Sequence, residues 1–223
     1  MSEFLEIAKK AARASGQLLK DNYGKEKVVD TFEEHDIKLQ LDVISQSLIS
    51  DLILAAFPDH SILGEEGDAG SESGDYQWII DPIDGTVNYF FGIPHFCVSI
   101  ALRQQSTDQW ILGVIYDPMM DELWAVDVGS EPTLNGSPIS TSDRGKMSEA
   151  VVTVGFSKTK DAMEAGFIRY REIASQVRKS RMMGSAALAL AYIACGRLDA
   201  YIEEVISLWD IAAGKLLVEA AGG

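Results

Sequence analysis

"WIIDPIDGTVNYFFG", residues 78–92, is an apolar strand that runs directly into two aspartates, a proline, a glycine and a threonine. More acid stands just upstream, in "GEEG" at 64–67. Carboxylates gathered at the end of a buried strand repel one another, and each is costly to bury without a partner. Either the chain supplies cationic side chains or the partner is a cation. Asp81 and Asp84 are separated by Pro82 and Ile83. Pro82 fixes a backbone angle and Gly85 permits a tight bend. Such a bend directs both carboxylates and the Ile83 carbonyl into one pocket, and hard cations such as Mg²⁺ take oxygen ligands. His35, His60 and His95 are scattered without ligand spacing, which argues against zinc. If a helix or turn begins after Thr86, the Gly85 and Thr86 N–H groups are open to an anion. Thr86 as an ordinary N-cap is the plainer alternative.

Each acid has an ordinary reading too. Asp81 and Asp84 suit a turn, and Glu65 and Glu66 suit a solvated loop tip. "SLWD" at 207–210 fits a capping box around Asp210, and Asp42 stands at a helix start. Only their joint occurrence argues for a site.

The chain has 223 residues, 47% of them hydrophobic, enough for one substantial core or two packed layers around a shared site. No apolar run is long enough for a membrane span. "MSEFLEIAKKAARASGQLLK" at 1–20 is amphipathic, carries two Glu and lacks a signal-peptide core. A formal charge of −15 argues against nucleic-acid or anionic-membrane partners. Cys97 and Cys195 form no CxxC pair, which suits a reducing cytoplasm.

Periodicity predicts helices over 2–21, 42–57, 161–177, 185–195 and 208–221. It predicts strands at 77–81, 96–103, 110–116, 122–127 and 150–155, another within 196–204, and a polar loop at 68–75. Strands and helices interleave without a strict βαβ rhythm, so layered sheets covered by helices are expected.

"GEE" at 64–66, "WIIDPIDGTVNYFFG" at 78–92 and "WDIAAGKLLVEAAGG" at 209–223 together resemble the inositol monophosphatase family of metal-dependent, lithium-sensitive phosphatases. The resemblance covers most of the chain. It implies an α/β fold of the sugar-phosphatase type, an alternating α-β-α-β-α sandwich forming a single domain over 1–223. It also implies a homodimer with two or three Mg²⁺ per subunit. Carried over by position, the metal ligands are Glu65, Asp81, the Ile83 carbonyl, Asp84 and Asp210. Gly85 and Thr86 would bind phosphate, Asp84 would also face the substrate, and Glu65 and Thr86 would orient a metal-bound water. Asp42 matches an acid before a helix and joins the catalytic set. Glu203 matches a position that contacts substrate hydroxyls, and Gly184, Ser185 and Ala186 match a pocket-lining segment. The implied reaction is Mg²⁺-dependent hydrolysis of an inositol monophosphate or similar polyol or sugar phosphate by in-line attack of a metal-activated water.

The chain departs from the family pattern at Lys38 and Gln40 and in a short "AVDVGSEPTLNGSP" segment at 125–138. Relatives continue past Gly223, so a missing C-terminal part is expected. The rival substrates are fructose 1,6-bisphosphate, histidinol phosphate and a 3′-phosphonucleotide. An aspartyl-phosphate enzyme is a rival chemistry, although its DxD pattern differs from DxxD at 81–84. A metal- or phosphate-binding regulatory protein without turnover is the non-enzyme rival.

Overall fold

Helix α1 (Glu3–Asn22) starts where Ser2 accepts a hydrogen bond from the Leu5 N–H at 3.3 Å. Its buried stripe is Leu5, Ala8, Ala12, Ser15 and Leu19, as the periodicity predicts. In this computed structural model, residues 2–26, 28–32, 37–156 and 160–223 are described, so His35 lies outside them. A hairpin of β1 (Val29–Phe32) and β2 (Ile37–Leu39) leads into α2 (Gln40–Ala56). The helix begins at Gln40, so Asp42 lies in its first turn rather than ahead of it. Leu39 has no side-chain acceptor; instead the Asp42 carboxylate accepts the Leu39 N–H at 2.7 Å. Ser15 and Ser45 share a buried hydroxyl hydrogen bond of 2.6 Å between the two helices.

The main sheet is built from β3 (Ser61–Gly64), β4 (Ala69–Gly70), β5 (Tyr76–Asp84), β6 (Cys97–Gln104), β7 (Gln109–Asp117), β8 (Glu122–Asp127), β9 (Thr133–Leu134) and β10 (Ser137–Pro138). These eight strands lie in the order β10-β9-β8-β7-β6-β5-β3-β4, antiparallel except for β3 beside β5. A one-turn helix, α3 (Thr86–Phe90), follows β5. Further along the chain come β11 (Val151–Val154), α4 (Lys160–Ala174), β12 (Lys179–Arg181), α5 (Ala186–Ala194), β13 (Ala200–Ile202) and α6 (Leu208–Ala220). Strands β12, β11 and β13 make a small parallel sheet in that order.

Alternation along the strands assigns each face of the main sheet to its own core. Trp78, Ile80, Val98, Ile100 and Val114 meet α1 and α2. Ile79, Ala101, Ile115 and Trp124 meet Ala187 and Ala191 of α5 and Ala213 and Leu217 of α6. Helix α5 also packs on β13. Beyond the small sheet, Phe167 and Tyr170 of α4 reach Phe156 (ring centroids 4.7 Å apart) and the Ser180 hydroxyl (3.1 Å). The layers run α-β-α-β-α.

Several elements depart from expectation. The polar stretch 68–75 contains β4, the predicted strand within 196–204 shrinks to Ala200–Ile202, and α4 stops at Ala174. Strands β1, β2, β3 and β12 have only three or four residues each, too few to show a period. The larger difference is in β5, which continues to Asp84 instead of ending at Asp81. Asp81 pairs with Ser99 and Asp84 with Cys97, so three steps on β5 oppose two on β6. This is a one-residue bulge, placed where Pro82 has no N–H to donate. In a regular strand residues three apart face opposite sides; the bulge restores parity. Asp81 and Asp84 therefore both face α5 and α6, while Ile83 turns into the opposite core.

Candidate active site

The ends of β3 and β5, the starts of α5 and α6 and the small sheet enclose a cavity of about 620 Å³. Glu65, Asp81, Ile83, Asp84, Gly85, Thr86, Gly184, Ser185, Ala186, Glu203 and Asp210 all line it. Asp42 does not: it is 2% exposed and sits behind Thr86, whose hydroxyl approaches its carboxylate at 3.4 Å.

Carboxylate oxygens of Asp81, Asp84 and Asp210 lie within 4.8 Å of one another. Asp210 reaches this point from the first turn of α6, where it also accepts the Ser207 N–H at 3.0 Å. Glu65 extends β3, its N–H donating to the Ile80 carbonyl at 3.2 Å, and its carboxyl hydrogen-bonds to Asp81. Burial first, then repulsion from Asp210, Asp42 and Glu66, pushes the Glu65 pKa up to about 8. Burial likewise raises Asp81 well above the carboxylate range, with Glu65, Asp84 and Asp210 adding to it. Burial raises Asp84 too, against the pull of the Ser185 hydroxyl and the Ala187 and Ala186 N–H groups.

Among the described residues, no Lys, Arg or His lines the cavity. Lys38, 3.5 Å from Glu66, serves the outer acid of the pair. His60 accepts the Trp78 indole N–H at 3.0 Å within an aromatic cluster, away from the acids. A convergent set of buried and half-buried carboxylates, with no cationic side chain among the described residues of the wall, fits a hard divalent ion.

Gly85 carries the chain from β5 into α3 with φ at 97°, the left-handed region that glycine tolerates. A Cβ there would also come 3.0 Å from the His95 carbonyl. Thr86 donates to the Ile83 carbonyl at 2.9 Å, which closes the turn. Asn88 then ties α3 to the segment before α5, donating to the His95 and Met183 carbonyls at 2.8 Å each.

The structure adds supports that the sequence reading missed. Gln46 of α2 accepts the Glu66 N–H (2.9 Å) and donates to the Gly67 carbonyl (2.7 Å), bracing the acidic loop. Its only signal is a polar side chain in line with the buried Ile49 and Ile53. Ser185 is 5% exposed; it caps α5 through the Leu188 N–H (3.3 Å) and donates its own proton to Asp84. The Ala186 and Ala187 N–H groups meet the same carboxylate at 3.2 and 2.7 Å. The segment expected to line the pocket thus also clamps Asp84.

The chain matches the model of the inositol monophosphatase family over residues 1–223. It is 37% identical over 228 residues to the Nus factor SuhB of Pasteurella multocida, spanning all of this chain and 84% of that protein. It is 36% identical over 232 residues to inositol monophosphatase 2 of Solanum lycopersicum, spanning all of this chain and 86% of that protein. The crystal structure of the extragenic suppressor protein suhB from Bartonella henselae superposes with a TM-score of 0.94 at 33% identity, covering 99% of this chain and 86% of that one.

Proposed function

The chain belongs to the inositol monophosphatase family, and from that premise we propose a Mg²⁺-dependent phosphomonoesterase for an inositol monophosphate or a similar polyol or sugar phosphate. The observation that carries this reading is the convergence of Asp81, Asp84 and Asp210 within 4.8 Å. Glu65, Asp81, the Ile83 carbonyl, Asp84 and Asp210 would hold two or three Mg²⁺. Bound there, the ions supply the positive charge that admits a phosphate dianion, and Lewis-acid polarisation of its phosphoryl oxygens.

The remaining steps belong to the chain. The Gly85 and Thr86 N–H groups, at a helix start, bind the phosphate. Glu65 and Thr86 orient the attacking water, and Asp42 steadies the Thr86 hydroxyl from behind. The clamp on Asp84 keeps that carboxylate aimed into the cavity. Gly184, Ser185, Ala186 and Glu203 shape the side that receives the polyol. A homodimer in the cytoplasm, lithium-sensitive and without a nucleic-acid partner, completes the reading. The net charge of −15 supports that last point even though several relatives bear the name of a Nus factor.

Phosphate release tests it. The panel is inositol 1-phosphate, fructose 1,6-bisphosphate, histidinol phosphate and a 3′-phosphonucleotide, each with Mg²⁺ and with EDTA. Release from inositol phosphate only with Mg²⁺ is expected. Preference for another ester reassigns the substrate, and release from none favours a binding protein.

A further inference from the structure

The acids of "GEEG" at 64–67 stand between two glycines, and helix α2 behind them shows what the glycines are for. Asp42, Ser45 and Gln46 recur at helical spacing on α2 and therefore share a face. Each reaches a different segment of the site. The Thr86 hydroxyl meets Asp42 at 3.4 Å, the Ser45 hydroxyl donates to the Pro82 carbonyl at 3.3 Å, and Gln46 reaches the acidic loop. On that loop the Glu65 N–H is tied to the Ile80 carbonyl at 3.2 Å. The Gly67 N–H closes a turn on the Gly64 carbonyl, also at 3.2 Å, with Gly67 at a φ of 126°. Gln46 grips the other side of this turn. Its Oε1 accepts the Glu66 N–H at 2.9 Å and its Nε2 donates to the Gly67 carbonyl at 2.7 Å.

Gly64 ends β3 without a left-handed backbone, so conformation does not demand a glycine there. Space does: a Cβ at 64 would overlap the Gln46 carboxamide, which supplies its three nearest atoms. Gln46 is 7% exposed, so its amide has little water to turn to. Its two bonds have opposite polarity, and a neutral amide supplies an acceptor and a donor at once. A methionine of similar length supplies neither in strength, and a charged glutamate would set an oxygen against the Gly67 carbonyl.

We propose that Gln46, in the space left by Gly64, is a positioning residue that holds the 64–67 turn so that Glu65 faces Asp81, and thereby sets the affinity of the site for Mg²⁺. The Glu65 backbone is pinned upstream by Ile80, and Gln46 pins the peptides that follow it. With the turn fixed on both sides, the Glu65 carboxyl keeps its hydrogen bond to Asp81 and its place among the acids. A ligand already held in place loses less freedom when an ion binds, so loss of the support is read as weaker metal binding. Gln46 does not line the cavity and does not touch a bound ester. Its effect therefore falls on the ion rather than on turnover once the ion is bound.

This inference rests on the metal-dependent reading of the site, and the experiment separates the two. Mg²⁺ binding is measured by isothermal titration calorimetry without substrate, and phosphate release from inositol 1-phosphate is followed against Mg²⁺ concentration. Gln46→Met is expected to raise the Mg²⁺ Kd on the order of tenfold, with kcat largely recovered at saturating Mg²⁺. Gly64→Ala is expected to weaken Mg²⁺ binding in the same way, and far less in a Gln46→Ala background, where the new Cβ has room. Ile53→Val, a core truncation on the same helix, is expected to lower the urea midpoint and leave Kd unchanged. An unchanged Kd in Gln46→Met overturns the proposal, as does an equal shift in Ile53→Val, which marks a merely structural contact. Should Gln46→Met fail to fold, Gly64→Ala carries the test, and an unchanged Kd there overturns the proposal. Wild-type protein that binds no Mg²⁺ overturns the metal-dependent reading and this inference with it, whereas Mg²⁺ bound without phosphate release overturns the phosphatase reading alone.

Discussion

Removing divalent cations should destabilise the native protein at neutral pH and leave it nearly unaffected around pH 4. Without a cation, the Glu65 pKa rises from 4.5 to about 8 through burial and the charges of Asp210, Asp42 and Glu66. A carboxyl with a raised native pKa contributes its full stability below the unfolded pKa. That contribution is lost as pH climbs through the native value. At about 1.36 kcal/mol per pKa unit, moving from about pH 4.5 to about pH 7 removes about 3 kcal/mol through Glu65 alone. Asp81 and Asp84 are shifted in the same direction and add to the loss. Against a typical stability of about 5–15 kcal/mol, this is a large fraction. Mg²⁺ binds the native cluster in its deprotonated form, so its stabilisation grows across the same window. Urea unfolding followed by tryptophan fluorescence, in EDTA and in Mg²⁺ at several pH values, reads the difference directly. Titration of groups elsewhere enters both arms equally and cancels. The midpoints should nearly coincide at the acidic end and diverge toward neutrality. Midpoints that coincide at neutral pH, or that differ by the same amount at every pH, refute the reasoning.

Asp84→Asn should lower turnover at saturating Mg²⁺ on the order of 10²–10³-fold while the unfolding midpoint moves little; near-wild-type turnover removes Asp84 from the site. Ser185→Ala deletes both the α5 cap and a donor to Asp84. It should cost about 1 kcal/mol and raise the Mg²⁺ concentration for half-maximal activity, with Ser185→Thr restoring both in a Mg²⁺ titration. Trp78→Phe strips the His60 ring of its buried donor and should cost about 1–3 kcal/mol in urea unfolding without altering KM. A changed KM there would place the aromatic cluster in communication with the cavity.

What was legible in the sequence was whatever local chemistry determines. Helix α1 follows from Ser2 and a regular apolar stripe, and β8 matches its predicted bounds of 122–127 because turns punctuate it on both sides. The facing of Asp84 was not legible, because it depends on how β5 registers against β6. That register slips between Asp81 and Asp84 only because Ser99 and Cys97 are their partners. The donors on Asp84 were hidden for the same reason. Ser185 and Ala187 lie 101 and 103 residues away in the chain. Tyr201 and Glu203 lie two apart in the chain, yet that spacing says nothing until the structure shows the Tyr201 hydroxyl donating to Glu203 at the cavity wall.

The acids show why ordinary readings and functional ones need not compete. Asp210 was readable as a helix cap, and it is one, accepting the Ser207 N–H while its carboxylate lies among the oxygens of Asp81 and Asp84. Asp42 caps α2 and also meets the Thr86 hydroxyl. Asp84 is held by the first N–H groups of α5. In each case a helix start supplies donors that ease the burial of a carboxylate. Ser185 further restrains Asp84 through its hydroxyl. The helix starts therefore do two things with the same hydrogen bonds: they complete the helix and they fix the position of a carboxyl oxygen. Among the described residues no helix start clamps Glu65 or Asp81, and burial pushes both pKa values up. Burial raises Asp84 as well, but there the Ser185 hydroxyl, the Ala187 and Ala186 N–H groups and the Cys97 thiol pull the other way. The cluster is thus uneven by construction: all three carboxyls are raised by burial, and at Asp84 alone helix-start donors oppose the shift.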